Sequence, residues 1–195
     1  MTPTTGPDIE RVPFVTPSRL ADAERRVFDE ACAAIMDGSA FRMSGGWSDT
    51  AAQLFAETIG LGEDTAGWAV SMFRSGTDAL VRALLACGVQ PGDRVAMPDL
   101  AFHAVAGSVL MIGAQPVPID INADDWCIDA GALEATCPAG SVTAVIAVDN
   151  YGTPCDLAAL ARVTRRIDAR LIVDACESLG STRPGGPVVS HADCV

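Results

Sequence analysis

The sequence predicts an α/β protein, with a mostly parallel sheet carrying helices on both faces. Three observations point there. From Trp68 onward, short apolar runs of strand length alternate with amphipathic segments of helical length. One run, Val142–Val148, is apolar almost throughout, as a strand covered on both faces must be. The segments between the runs are long enough for right-handed crossovers, the normal link between parallel strands.

The elements follow in order. The first 13 residues, rich in Pro and Thr, read as a mobile tail, and 14–67 as an N-terminal helical segment. Within it, Ser18–Asp37 places Leu20, Val27, Ala31, Ala34 and Ile35 at helical spacing behind Ser18 as N-cap. Ser44–Asp49, with paired glycines, reads as a loop, and Ala51–Ile59 as a second helix. Trp68–Phe73 reads as a strand, Arg74–Thr77 as a turn, and Asp78–Cys87 as a helix with Leu80, Leu84 and Cys87 on one side. Pro91-Gly92-Asp93 turns the chain into the strand Arg94–Met97, followed by the helix His103–Ile112 and the strand Pro116–Ile119. After the polar stretch Asp120–Asp129 come a short helix at Gly131–Thr136 and the strand Val142–Val148. The amphipathic helix Leu157–Ile167 and the strand Arg170–Val173 come next. Ala192–Val195 reads as the start of another strand, so 68–195 is expected to form an unfinished sheet.

Composition excludes several classes. The 195 residues can bury a real core, and with 49% hydrophobic and 19% charged residues a disordered chain is ruled out. The 25 acidic against 13 basic side chains give a net charge of −12, which argues against nucleic acid as a partner. No apolar run reaches membrane-spanning length, and Met1–Pro13 lacks the layout of a signal peptide. A soluble cytoplasmic protein with no membrane partner is therefore expected. All 13 basic residues are arginine, so chemistry that needs a lysine side chain cannot come from these residues. Seven cysteines contain no CxxC pair, and only His103 and His191 could join them. That predicts neither a metal site nor a disulfide framework, and most of the cysteines should be small buried side chains.

In open α/β sheets, ligands bind beyond the carboxyl ends of the strands. Four candidates fall there: Ser75-Gly76-Thr77, Phe102, Asp149-Asn150-Tyr151-Gly152 and Asp174. Gly76 lets a ligand approach the backbone, and the helix after it offers free N–H groups and a positive dipole end to an anion. The same Ser-Gly-Thr serves equally as an ordinary N-cap. Asp174 is either a turn cap or a carboxylate at the rim of the sheet that pairs with a ring nitrogen. Phe102 is either core or a stacking ring, and Asn150 and Tyr151 either end a strand or reach the same pocket. No GxGxxG or P-loop pattern is present.

The motifs gain meaning from their order. Phe73-Arg74-Ser75-Gly76-Thr77-Asp78-Ala79-Leu80, Gly88–Val95, Pro98–Ala104, Gly113–Val117, Ile119-Asp120-Ile121, Asn150-Tyr151-Gly152 and Val173–Gly180 succeed one another along the chain. This series resembles the DegT-type sugar aminotransferases, which are pyridoxal 5'-phosphate (PLP) enzymes of fold type I, the aspartate-aminotransferase-like class. The likeness runs from about Pro13 to Val195 and implies the incomplete large domain of such an enzyme. It implies cofactor-phosphate contacts from Gly76 and Thr77, stacking by Phe102 and a pyridine-nitrogen partner in Asp174. Glu177 stands where the family commonly has Gln or His near the phenolic oxygen of the cofactor. The family's Schiff-base lysine and the serine before it have no counterpart, so no catalytic residue is assigned and the chain alone is expected to be inactive. Partners implied by the resemblance are a second copy or a complementing aminotransferase subunit, an amino-acid donor and a keto-sugar. Two other readings remain open: a non-catalytic binding subunit, and a lysine-free enzyme that uses the cofactor differently.

Overall fold

Residues 22–38, 46–59, 61, 69–182 and 191–195 are described by the computed structural model. The expected tail, the Ser18 cap, Leu20, Ser44, Gly45 and Trp68 lie outside them. The chain divides between residues 45 and 46 into two units, each taken by itself.

The first unit contributes helix α1 (Asp22–Met36), with Asp22 and Glu24 in its first turn, where carboxylates complement the positive end of the helix.

The second unit begins with α2 (Gly46–Thr58), so Gly46–Asp49, expected as loop, are instead its first turn. Asp49 suits that position electrostatically, and the Thr50 hydroxyl donates to the Gly46 carbonyl at 2.6 Å, as the helical repeat allows. A second expectation also fails. Residues 69–73 form no strand, and Met72 and Phe73 are exposed. An apolar run becomes a strand only where a neighbour accepts its hydrogen bonds, and among the described residues nothing pairs with 69–73.

From here the alternation is as expected: α3 (Gly76–Ala86), β1 (Arg94–Pro98), α4 (His103–Met111), β2 (Gln115–Ile119), α5 (Ala130–Thr136), β3 (Ala144–Val148), α6 (Leu157–Ile167) and β4 (Arg170–Asp174). Three of these helix starts, those of α3, α5 and α6, carry side-chain caps. Ser75 accepts from Asp78 N–H, Asp129 from Ala132 N–H and Asp156 from Ala159 N–H. Helix α6 has Leu157, Leu160, Ala161, Val163, Thr164 and Ile167 buried, with Arg165 and Arg166 in its last turn at the negative end.

The sheet is all parallel in the order β2-β1-β3-β4, and every residue of β3 is buried between its two neighbours. Alternate residues feed two cores. Ala96, Val145, Ala147, Leu171 and Val173 pack with α5 and α6 residues such as Leu133 and Leu160. Val95, Met97, Ala144, Ile146 and Ile172 pack with α3 and α4 residues such as Leu84 and Val109 on the other face. Helices thus cover both faces, as the pattern required. Cys194 bridges Ile172 in parallel beside β4, and Val173 N–H donates to its carbonyl at 2.9 Å. Asp193 braces this edge, accepting from Leu171 N–H at 2.8 Å and pairing with Arg170 at 2.9 Å.

The cysteines correct another expectation, since only Cys127, Cys137 and Cys155 are buried. Cys87 and Cys194 are half-buried, and Cys32 and Cys176 are exposed, because they fall at a helix end, beside an edge strand, on the outside of α1 and in a surface turn. Among the described residues, no helix is long and apolar enough to cross a membrane.

Candidate functional site

The order β2-β1-β3-β4 sends successive connections to opposite sides of β1, so the chain reverses direction between β1 and β3. A crevice opens at the carboxyl ends of strands around such a reversal. The segments that line this edge are the loop after β1, the polar stretch after β2, the 3₁₀ turn Asn150–Gly152 after β3, and the turn after β4.

Side chains knot these segments together. Asn150 is buried, and its Nδ2 donates to the carbonyls of Leu100 and Trp126, both at 2.9 Å. Asp149, fully buried at the end of β3, accepts from Cys155 N–H at 3.0 Å and from the Ser178 hydroxyl. Glu177 accepts from Tyr151 N–H at 2.5 Å. Gly152 sits at φ +81 with the Glu177 carbonyl 3.2 Å from where a Cβ would be, so both the turn and its neighbour call for glycine.

The predicted residues fall on this frame as follows. Gly76 and Thr77 are the first two residues of α3. Ser75 caps the third N–H, leaving the Gly76 and Thr77 N–H groups without a partner among the described residues. Asp78 in this first turn would repel an anion, but Arg74 and Arg82 flank it at 3.8 and 3.6 Å. Asp174 ends β4, half-buried, and accepts from Cys176 N–H at 3.1 Å. The two halves meet at Gly76, where an added Cβ would lie 3.0 Å from Cys176 Sγ. Gly76, Ala79, Asp174, Ala175, Cys176 and Leu179 line part of one cleft of about 200 Å³. Phe102 precedes α4 and is exposed, its ring 4.1 Å from that of His103. Glu177 is in the next turn, its carboxylate taken up by Tyr151 N–H rather than left open.

Although Cys176 as a residue is exposed, its sulfur is packed against Gly76, and this desolvation, reinforced by the hydrogen bond and charge of Asp174 and by the charge of Glu177, pushes the thiol up to about 11. The thiol is therefore neutral near pH 7, and it adds no charge to a cleft already holding the Asp174 carboxylate. Sequence reasoning missed the Asp149–Ser178 pair and the place of Trp126. Their partners lie 29 and 24 residues away, at distances no local pattern encodes.

Gly76 and Asp174 share the cleft, while Thr77 and Phe102 are not among the residues that line it. Paired free N–H groups at a helix start hold a phosphate, a rim carboxylate holds a ring N–H⁺, and an exposed aromatic can cover a ring face. The missing Gly76 side chain leaves room for Cys176 Sγ, which packs against the start of α3.

Residues 22–195 match the DegT/DnrJ/EryC1/StrS aminotransferase family. GDP-perosamine synthase of Caulobacter vibrioides is 39% identical over 120 residues, which is 62% of this chain and 32% of that protein. The 3-oxo-glucose-6-phosphate:glutamate aminotransferase of Bacillus subtilis is 38% identical over 112 residues, 57% of this chain and 25% of that protein. Among solved structures, NtdA from Bacillus subtilis with bound cofactor PMP superimposes with a TM-score of 0.78 at 26% identity, covering 95% of this chain and 40% of that one. The chain thus spans about a third or less of the length of these curated relatives in the matched region.

Proposed function

Because the chain belongs to the DegT/DnrJ/EryC1/StrS aminotransferase family, we propose that its residues form the N-terminal part of the cofactor domain of a PLP-dependent sugar aminotransferase. Such an enzyme moves an amino group from an amino acid to a keto-sugar. The reading also keeps the expected organisation, with 14–67 a helical segment ahead of the sheet. The observation that supports it most is the meeting of the open start of α3 with the turn after Asp174, where the Gly76 Cβ position lies 3.0 Å from Cys176 Sγ.

When bound, the cofactor supplies an electron sink for negative charge at the substrate carbon. The residues of this chain do the holding. The Gly76 and Thr77 N–H groups and the Thr77 hydroxyl bind the phosphate, helped by the positive end of α3. The Asp174 carboxylate keeps a proton on the ring nitrogen. Phe102 covers one ring face and excludes water. Glu177 acts at one remove, by fixing the Asn150–Gly152 turn through Tyr151 N–H.

The 195 residues include no lysine, so the amine that carries the cofactor must come from outside them, from further chain or a second subunit. That absence equally favours a second reading, a non-catalytic binding subunit of an aminotransferase-like complex. Borohydride reduction in the presence of PLP, followed by peptide mapping, separates the two. Alone, the chain should take label at no side chain and transfer no amino group from L-glutamate. Label on the lysine of a co-encoded subunit, together with amino transfer by the pair, supports the split enzyme. Label on neither chain while pyridoxamine phosphate (PMP) still binds supports the binding subunit. Amino transfer by the chain alone overturns both.

A further inference from the structure

Two buried thiols that take no part in holding the cofactor meet inside the core. Cys127 lies in the stretch after β2, and Cys155 in the turn between β3 and α6. Both are free and only 2% exposed, and they pack in one core with Leu133 and Leu157. A side-chain acceptor pins the backbone of each. Cys127 N–H donates to Asp125 Oδ1 at 2.9 Å, and Cys155 N–H to Asp149 Oδ1 at 3.0 Å.

The sulfurs converge from these anchors. Cys127 Sγ donates to the Thr153 carbonyl at 3.4 Å and Cys155 Sγ to the Val148 carbonyl at 3.1 Å. The two thiols also lie within hydrogen-bond reach of each other. That contact, burial and the charge of Asp149 push the Cys155 thiol well up, so it is protonated near pH 7. When one sulfur of such a pair is oxidised, the other is already in place to displace the oxygen.

We propose that Cys127 and Cys155 form a redox site, a reversible disulfide that staples the stretch after β2 to the turn after β3. The oxidant is hydrogen peroxide, small enough to reach sulfurs so little exposed. The Cys127 sulfur, as thiolate, attacks one peroxide oxygen and the O–O bond breaks, giving a sulfenic acid and water. The Cys155 sulfur then attacks the sulfenic sulfur, and its proton leaves with the displaced hydroxide as a second water. Two thiols and one peroxide thus give one disulfide and two waters, the sulfurs losing the two electrons that the peroxide oxygens gain. The bridge closes a loop that contains α5 and β3, and so restricts the unfolded chain. It is independent of the aminotransferase reading, because it involves none of Gly76, Thr77 and Asp174.

Peroxide treatment of the full chain, followed by non-reducing peptide mapping and thermal melts, tests this. A peptide pair joined through Cys127 and Cys155 is expected, with Tm raised by about 5–10 °C. Dithiothreitol should undo both. Cys127→Ser and Cys155→Ser should each lose the joined pair and the rise in Tm, which separates the bridge from oxidation of methionine. The mapping is made on the unaltered chain, so it stands even where a variant fails to fold.

The proposal is overturned if the exposed Cys32 and Cys176 oxidise while Cys127 and Cys155 stay reduced. Joined peptides that link other cysteines instead overturn it too, as does a Cys127–Cys155 bridge that leaves Tm unchanged or lower.

Discussion

Replacing Asp149 with alanine is expected to cost the folded protein about 3 kcal/mol, lowering Tm by about 6–12 °C. The side chain is fully buried and receives hydrogen bonds from Cys155 N–H and the Ser178 hydroxyl. Alanine leaves both donors in the interior without that acceptor, and an unsatisfied buried donor costs more than the net worth of the bond it lost. Asp149→Asn should be milder, since the amide oxygen can still accept from Cys155 N–H and the hydroxyl can turn to accept from the amide nitrogen. Ser178→Ala removes one of the two bonds and should cost less than Asp149→Ala. In a double-mutant cycle the two changes should fall short of additivity, because they share a bond. Thermal melts of the four proteins check this. Equal, small losses for every variant would show that the knot between the ends of β3 and β4 does not hold the edge together.

Replacing Asp174 with alanine is expected to weaken PMP binding by about tenfold to a hundredfold, the usual effect of losing a hydrogen bond between charged partners. The carboxylate ends β4, half-buried, beside the start of α3. Asp174→Asn separates its charge from its local structural role. Asparagine keeps an acceptor for Cys176 N–H, which Asp174 serves at 3.1 Å, but loses the charge. Both variants should therefore lose affinity while the asparagine protein melts close to the parent. Calorimetry with PMP reads the loss, and unchanged affinity in both would remove Asp174 from the site.

Much of this architecture was legible in the residues. The bounds of α6, Leu157–Ile167, match the expected ones because its apolar face repeats at helical spacing and Asp156 caps its start. Strand β3 was plain because a strand buried on both faces needs apolar side chains on both. The failures are as instructive. Gly46–Asp49 have loop composition, yet a carboxylate in the first turn lets a helix begin there. Residues 69–73 are apolar enough for a strand, but strand formation is decided by partners, which sequence spacing does not reveal.

For the candidate site, what was legible is placement: Gly76 and Asp174 line one cleft. Gly76, Thr77 and Asp174 follow from the rule that ligands gather at strand ends, and the first helical turn and β4 carry them to one edge. The setting of Glu177 could not be foreseen. A carboxylate after a strand is as ready for solvent as for a backbone N–H, and only the fold brings Tyr151 N–H to it. The same holds for Asn150, whose two carbonyl partners come from the loops after β1 and β2.

The proposed function rests above all on the open start of α3 as the holder of the cofactor phosphate. The most direct measurement is two-dimensional NMR of the backbone amides during titration with PMP and, separately, with pyridoxamine, which lacks the phosphate. The Gly76 and Thr77 amide signals are expected to move furthest with PMP, saturably, and to stay in place with pyridoxamine. Largest shifts elsewhere on the chain, equal shifts with both compounds, or no response to PMP would contradict it.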